Sequence, residues 1–570
     1  MASSSSSPPP PLVPGLLGNF RFDAIAGFLV FLIAMPLCLA IARASGFPPI
    51  AGIWTAVVGG VLCSLLSNSE LTIKGPAAGL IAIVGGAVID LGSEFGGGLS
   101  DADKAFLGYK LALGIGVAAG VIQVLLGLLR AGRLVDLFPL TPVHGMLASI
   151  GVMIIAKQAY EVLGTPPAKG AGPLKLLADL PMAVTRANPE ILAVGLVGLA
   201  VLFGLPLLAK RLPWVKRVPA QLVVLVLAVA LGSAWVFDLE HEHTYLFPGH
   251  LFDGNLENDE YTVGPKFLVT IPNVLASPAD AFALPDFRGL ATGTGLYWLF
   301  LFVAIGSLES LLSAKAIELL DPWKRKTSFD RDLLAVGLAN AVCSGLGGMP
   351  MISEIVRSKA NIDNGGRTRL ANLCHGVCLL AFVLLAPGLI HRIPLAALGA
   401  MLVYTGFRLA NPGEFVRTYK IGTDQFVVFV GTILATLATD LLIGIAAGIG
   451  LKVLFHLWHG APVTGFLKAD VEVVPAGDDR VILVVKRAAV FSNWLGLRKA
   501  VLAAGADRRV VDIDLSRTRL VDHSTMEKLH EIEAEFALAG KTLSLIGLED
   551  HTPLSRHPLA ARMAPAAAGR

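Results

Sequence analysis

The stretch GLGGMPMISEIVRSKANIDNGGRT, residues 345–368, decides how this chain folds. Apolar runs long enough to cross a membrane lie on both sides of it, but glycines and Pro350 interrupt its start. Charged residues follow at once: Glu354, Arg357, Lys359 and Asp363. Charges of this density are costly in a membrane helix, so the stretch is not an ordinary span.

A second broken stretch lies far upstream, LTIKGPAAGL at 71–80. Two interrupted apolar segments in corresponding places of two halves are the sequence pattern of a transporter's binding site. The chain therefore predicts a membrane transporter whose substrate site is built from 71–80 and 345–368.

The composition agrees with a membrane protein. Of 570 residues 54% are hydrophobic and 16% charged, and the mean hydropathy is +0.69. Soluble domains are about one quarter charged, so we expect an integral membrane protein in contact with lipid. Walker A, GxSxG and HExxH motifs are absent, and the five cysteines show no metal spacing. We expect no enzyme activity, no metal, no cofactor and no nucleic-acid partner.

Counting stretches of roughly 20 apolar residues, fewer where a helix is broken, gives about fourteen spans. They lie near 24–42, 50–66, 74–90, 107–129, 135–156, 189–208, 218–237, 294–319, 331–346, 352–362, 368–389, 394–409, 423–439 and 440–457. The third and tenth carry the broken stretches. Seven spans in each half predict a 7+7 inverted repeat.

The loop charges give the orientation independently. With the N-terminus inside, the cytoplasmic loops hold a set of cations: Arg130, Arg133, Lys210, Arg211, Lys216, Arg217, Lys324, Arg325, Lys326, Arg331, Arg367, Arg369, Arg417 and Lys420. The external segment 238–290 holds nine acidic residues against Lys266 and Arg288. Cytoplasmic loops are enriched in Lys and Arg, so both termini are predicted to be cytoplasmic.

The ends of the chain differ from its membrane part. Residues 1–18 begin with a Ser/Pro-rich run and are predicted to be a disordered tail. The transmembrane domain is predicted over 19–460. Strands are predicted at 471–475, 480–485, 510–515 and 542–546, with a helix at 524–538, so 465–570 should form a small soluble α/β domain.

Several separated motifs together resemble the SulP sulfate-permease family of anion transporters. They are IAMPLCLAIARASGFPPIAGIWTA (33–56), TIKGPAAGL (72–80), GSLESLLSA (306–314), GLGGMP through IVRSKANIDNGGRT (345–368), and DLSRTRLVDHST (514–525), which is similar to a STAS domain. The resemblance implies a core domain of spans 1–4 and 8–11, a gate domain of the other six, elevator-type transport and a homodimer. It also implies a plasma (inner) membrane location.

The two breaks suit anion binding, because a helix N-terminus carries partial positive charge and unpaired N–H groups. We expect the third helix to begin at Gly75 and Pro76, and the tenth near Met351 to Ser353, with Ser353 as a candidate N-cap. The predicted substrate-binding residues are Thr72, Lys74, Gly75, Ala77, Ala78, Met351, Ile352, Ser353 and Arg357.

Two cations at these breaks have alternative roles. Arg357 lies one turn beyond Ser353 and either binds the anion or pairs with Glu354 at i,i+3. Lys74 either attracts the anion, pairs with Glu309 or extends to the membrane surface. A basic residue inside a span is a functional candidate by default.

Glu309, within the apolar run LFVAIGSLESLLSA, is the first candidate for coupling transport to H⁺. An ionised carboxylate is costly there, which favours protonation. Ser313 lies one turn on and would join Glu309 in holding Na⁺ instead. Glu354 is a third coupling candidate. The alternative for Glu309 is a structural ion pair.

The substrate is predicted to be a small inorganic oxyanion of the bicarbonate or sulfate class. Many SulP members have glutamine after the first-helix proline, but Leu37 follows Pro36 here. With Glu354 nearby, this favours a smaller or less charged anion such as bicarbonate. In the STAS domain, Ser524 matches the phosphorylatable serine of related antagonist proteins and is a regulatory candidate, with a plain helix N-cap as the alternative.

The sequence thus predicts a secondary-active, H⁺- or Na⁺-coupled anion symporter. An uncoupled anion channel or a dicarboxylate transporter of the same fold is the alternative. A nucleobase carrier fits Arg357 and the STAS domain poorly, and a signalling module on a membrane anchor would not need about fourteen spans.

Overall fold

The computed structural model describes residues 16–132, 139–168, 171–212, 215, 218–233, 235–248 and 258–564. The tail predicted over 1–18 lies outside these residues up to residue 15, and 16–19 form a 3-10 turn. Among the predicted loop cations, Arg133, Lys216 and Arg217 also lie outside them.

Helices make up most of the first 458 residues. Their bounds are α1 (Phe20–Ala44), α2 (Pro49–Leu66), α3 (Ile81–Phe95), α4 (Asp101–Leu128), α5 (Leu140–Leu163), α6 (Pro173–Thr185), α7 (Pro189–Arg211), α8 (Ala220–Leu231), α9 (Pro278–Ala281), α10 (Gly293–Leu320), α11 (Phe329–Gly345), α12 (Ile355–Asp363), α13 (Leu370–Leu385), α14 (Pro387–Ile390), α15 (Leu395–Leu409), α16 (Pro412–Ile421), α17 (Thr423–Ala438) and α18 (Leu441–Trp458). Each predicted span overlaps one of these helices. Among the described residues, eight helices are long and apolar enough to cross a membrane, so the chain is a multi-pass membrane protein.

Short strands interrupt the helices. They are β1 (Ile73–Pro76), β2 (His243–Pro248), β3 (Asn258–Val263) and β4 (Met351–Glu354). β2 and β3 form an antiparallel hairpin within the acidic segment. β1 and β4, which come from the two broken stretches, pair with each other in an antiparallel two-stranded sheet.

Glycines set the close approach of α4 to α11. A Cβ at Gly120 would meet backbone atoms of Gly337 and Ala341, and one at Gly337 would meet the backbone of Gly120 and Val124. Only glycine permits backbones to pack at this distance. The contact fixes α11, which carries Asp332 close to β1 and β4.

The C-terminal part is an α/β domain. Its strands are β5 (Asp470–Pro475), β6 (Arg480–Ala489), β7 (Val510–Asp514), β8 (Thr518–Val521), β9 (Thr542–Ile546), β10 (Thr552–Pro553) and β11 (Arg562–Met563). Its helices are α19 (Thr464–Leu467), α20 (Trp494–Asp507) and α21 (His523–Leu538). The sheet order is β10-β11-β8-β6-β7-β9, with β5 against β6. The predicted α/β domain is confirmed; α20 and β8 were not predicted.

The chain divides into two compact units. One lies within Met1–Gly132 and Gly151–Arg408, and the other within Arg133–Ile150 and Leu409–Arg570. The first contains both broken stretches, and the second contains α16–α18 with the C-terminal domain. α7, α8 and nearly all of α15 belong to the first unit, so this division differs from the predicted grouping into core and gate.

Candidate functional site

The two broken stretches meet through β1 and β4. Lys74 lies opposite Ser353, and Gly75 opposite Ile352. β1 runs into a 3-10 turn (Ala78–Leu80) and then α3, while β4 runs directly into α12. Because the two strands are antiparallel, the helices that follow them leave this small sheet at opposite ends, and each helix segment begins beside the sheet.

The helix starts differ from the predicted ones. Gly75 and Pro76 lie in β1, and α3 begins at Ile81. Met351 and Ser353 lie in β4, and Glu354 occupies the N-cap of α12. The prediction of Ser353 as an N-cap is therefore wrong. The apolar residues around each break pair as strands because the backbone of one break supplies the hydrogen bonds that the other lacks.

The structure brings most of the predicted binding residues together and buries them. The side chains at most 2% exposed are those of Thr72, Lys74, Ala77, Met351, Ile352, Ser353 and Arg357. Gly75 is buried and Ala78 half-buried. Thr72 precedes β1, and its hydroxyl donates to the Ser69 carbonyl at 3.4 Å.

Arg357 lies across the β1 backbone. Its guanidinium donates to the Pro76 carbonyl oxygen and to Cys38 Sγ, both at 3.4 Å. A Cβ at Gly75 would meet this guanidinium, so the glycine leaves room for Arg357 in its present position. Within the described chain these two long contacts use few of the five donors of arginine. A buried, charged and incompletely paired group therefore lies at the strand crossing.

Lys74 is held in an ion pair. Its Nζ lies 2.7 Å from Asp332 Oδ1 and donates to Ser353 Oγ. Ser353 Oγ donates in turn to Asp332 Oδ2 at 3.3 Å. The partner of Lys74 is thus Asp332 on α11, and the expected pair with Glu309 is wrong. Asp332 was not predicted, because its carboxylate and Lys74 are 258 positions apart in the chain.

Glu309, on α10, packs against Gly79 in the 3-10 turn that precedes α3. A Cβ at Gly79 would collide with its carboxylate, so the absence of a side chain at Gly79 makes room for it. Glu309 Oε2 is buried without a hydrogen-bond partner among the described residues. Such an oxygen costs about 1–3 kcal/mol unless a proton or cation satisfies it. Ser313, 2% exposed, follows one turn on along α10.

The Glu354 carboxylate also lies near this point, close to the Ala78 backbone. Ser310, on α10 beside Glu309, accepts from the Ser353 N–H at 3.1 Å and donates to Ser353 Oγ at 3.3 Å. The three predicted coupling residues therefore lie around the β1–β4 sheet, on α10 and at the start of α12.

Other polar residues missed in the sequence hold the two strands. Asn340 Oδ1 accepts from the Met351 N–H at 2.7 Å, and Asn372 Oδ1 accepts from the Lys74 N–H at 3.1 Å. Ser358 Oγ accepts from the Ile73 N–H at 2.8 Å. Their only signal in the sequence is that they are polar residues inside or beside apolar spans.

Ser524 is buried and does not have the N-cap role. Asp522 is the N-cap of α21, accepting from the Thr525 N–H at 2.8 Å. Ser524 Oγ accepts from Lys452 Nζ of α18 at 2.7 Å. Lys452 Nζ and His456 Nε2 lie 3.6 and 3.4 Å from Asp522 Oδ2. Burial raises the pKa of Asp522, but Lys452, His456 and the hydrogen bonds from Thr525 together lower it more, so this pKa lies below its usual range.

Comparison with known proteins decides the family. The model of the sulfate permease family matches residues 20–432, which include both broken stretches and their helices. The chain belongs to the sulfate permease family. The SulP resemblance is therefore confirmed, and since this is a family of transporters, the chain is not an enzyme.

Relatives in the sulfate permease family are similar over most of this chain. The bicarbonate transporter BicA of Picosynechococcus sp. is 26% identical over 431 residues, 76% of this chain and 69% of BicA. The putative sulfate transporter YvdB of Bacillus subtilis is 27% identical over 443 residues, 77% of this chain and 74% of YvdB.

Solved structures show the same fold. The transmembrane domain of a cyanobacterial BicA matches with a TM-score of 0.59 and 23% identity, covering 76% of this chain and 98% of that one. Murine Slc26a9, an anion transporter in the inward-facing state, matches with a TM-score of 0.63 and 16% identity, covering 94% and 86%. Because the match to Slc26a9 covers 94% of this chain, it extends into the C-terminal α/β domain.

Proposed function

We propose that this protein is a secondary-active transporter of a small inorganic oxyanion, of the bicarbonate or sulfate class. The observation that carries the proposal is the guanidinium of Arg357, incompletely paired among the described residues, against Gly75 and Pro76 at the crossing of the two breaks. Buried N–H groups and a buried arginine are the donors that an oxyanion requires. The names of the relatives, bicarbonate transporter and putative sulfate transporter, support this substrate class.

The anion is bound by Arg357 and by backbone N–H groups at the two breaks. Gly75, Ala77 and Ala78 line the site from the first break, and Ile352 and Ser353 line it from the second, where the Ser353 N–H already donates to Ser310 Oγ. Lys74 acts on the anion only indirectly, because Asp332 neutralises it. Leu37, 7% exposed, supplies no polar contact at the first helix, which favours bicarbonate over sulfate.

Coupling to H⁺ or Na⁺ is assigned to Glu309, with Ser313 and Glu354. Glu309 Oε2, which has no hydrogen-bond partner among the described residues, supports this role, because a proton or a sodium ion satisfies it in one state of the cycle. An elevator-type movement carries the site across the membrane. The protein acts as a homodimer in the plasma (inner) membrane with both termini cytoplasmic, and the STAS domain serves dimerisation, trafficking or regulation.

Uptake into proteoliposomes tests this function. Labelled bicarbonate, sulfate and a dicarboxylate are offered with an imposed pH gradient, an imposed Na⁺ gradient or none. We expect accumulation of one inorganic anion above equilibrium under one of the two gradients. Uptake that only follows the anion's own electrochemical gradient would instead identify an uncoupled channel. Dicarboxylate accumulation alone would identify the other alternative.

A further inference from the structure

A closed polar network lies behind the strand crossing. Asp332 is fully buried, and its carboxylate accepts from Ser67 Oγ at 2.6 Å, from Lys74 Nζ at 2.7 Å and from Ser353 Oγ at 3.3 Å. Lys74 is 1% exposed. The network thus joins the first break, the second break and the start of α11 through one carboxylate.

The ion pair in this network is a matched unit. Removing one partner of a buried pair leaves an uncompensated charge, whereas removing both charges together is close to neutral. Lys74 also donates to Ser353 Oγ, so its ammonium is directed at Asp332 and Ser353. It is not free to act as a direct ligand of the anion.

The position of the pair matters for the charge of the site. Lys74 and Ser353 are opposite each other in the β1–β4 sheet, one position from Gly75, on which the Arg357 guanidinium packs. Without Asp332, two cations, Lys74 and Arg357, would flank the crossing. With Asp332 in place Lys74 is neutralised, and Arg357, which interacts electrostatically with the Glu354 carboxylate, is the other cation there.

We propose that Asp332 sets the charge selectivity of the site. By neutralising Lys74 it lowers the positive charge at the crossing by one unit, which favours a singly charged anion over a doubly charged one. This inference rests on the proposed function and extends it from an anion class to a charge. Asp332 acts through Lys74 and is therefore a positioning residue.

The test is a ratio measured on the full-length protein in proteoliposomes. The half-inhibition concentration of unlabelled sulfate is divided by the half-saturation concentration of labelled bicarbonate. Asp332→Asn frees one positive charge, and the ratio should fall about tenfold, since a doubly charged anion gains an additional unit of attraction. Lys74→Met frees one negative charge, and the ratio should rise.

The double variant Lys74→Met/Asp332→Asn restores neutrality and should return the ratio to that of the wild type. Ser67→Ala is the matched control, because it removes a hydrogen bond to Asp332 without changing any charge. A purely structural role would lower uptake of both anions together in each variant and leave the ratio constant. A purely structural role does not predict opposite shifts in the two single variants. If only one of them folds, a shift of its ratio in the expected direction still separates a charge effect from a structural one.

An unchanged ratio in a folded single variant that still transports would overturn the assignment of Asp332, and so would a wild type that prefers sulfate. Neither result would contradict anion transport itself. Failure of the proposed function is a different observation, namely that the wild-type protein takes up no labelled anion under any gradient.

Discussion

Glu309 and Lys74 are both charged residues at the breaks, but their surroundings separate their roles. Lys74 has a full partner in Asp332, whereas Glu309 Oε2 is buried with none among the described residues. A charge with a buried partner is held in place, while an unsatisfied carboxylate oxygen gains from a proton or a cation. Of the two, Glu309 is therefore the one that we propose for coupling.

Glu309→Gln should abolish gradient-driven accumulation while leaving anion binding measurable, because the amide keeps the shape and cannot ionise. The measurement is accumulation under the imposed gradient, compared with equilibrium binding of the same anion. Glu318→Gln, on the same helix but bonded to Lys326 and the Thr327 N–H, is the control and should accumulate normally. Undiminished accumulation in Glu309→Gln would rule out the coupling role.

The sequence alone identifies some of these charged residues as site candidates, but not all of them. Arg357 and Glu309 are charges inside apolar runs, and that alone marks them as site candidates. Asp332 cannot be identified in this way, because it lies at the start of α11, next to a charged loop and not inside an apolar run. Its partner, Lys74, is on β1. Long-range pairing decides its role, and a single sequence contains no record of it.

At the scale of elements, the small β1–β4 sheet is the feature that the sequence did not predict. The sequence shows the breaks at Gly75–Pro76 and Pro350, and the inverted repeat predicts that the two breaks lie close together in the fold. Each strand is only four residues long and buried on both sides, so it has no alternating pattern from which a strand is normally recognised. The helix starts were therefore placed several residues too early.

Gly79→Ala tests the packing of the 3-10 turn before α3 against the Glu309 side chain of α10. The added methyl group would collide with the Glu309 carboxylate and displace it. We expect loss of most gradient-driven accumulation with a folded protein, measured by uptake and by thermal unfolding. Gly97→Ala is the matched control, since a Cβ there meets nothing within 4 Å. Normal accumulation in Gly79→Ala would show that the position of Glu309 is not critical.

At the scale of the whole molecule, the second compact unit links α18 to the C-terminal domain by buried charge. Lys452 and Asp522 are at most 1% exposed, and Ser524 is the hydroxyl partner of Lys452. Ser524 is thus enclosed, and reaching it requires this contact to open. The apolar runs of the domain predict its strands, but a single sequence does not show that Lys452 lies against Asp522 and Ser524, which are far from it in the chain.

Lys452→Met should lower the free energy of unfolding by about 3–5 kcal/mol, because it leaves Asp522 buried without its cation. The double variant Lys452→Met/Asp522→Asn should recover most of this loss, since asparagine remains a good N-cap for α21. Thermal or denaturant unfolding of the full-length protein measures both.

Lys486→Met is the control, because its partner Glu472 is 51% exposed, and such a pair contributes about 1 kcal/mol or less. Equal losses in Lys452→Met and Lys486→Met would contradict the account of the buried pair.

The central claim is that the anion binds at the crossing of the two breaks, on Arg357. The direct measurement is the half-saturation concentration for uptake of the transported anion in Arg357→Ala and in Lys359→Ala, a half-exposed neighbour on α12. Loss of charge-assisted hydrogen bonds should raise the value for Arg357→Ala about tenfold or more, with Lys359→Ala unchanged. A wild-type value in a folded Arg357→Ala protein would contradict the claim.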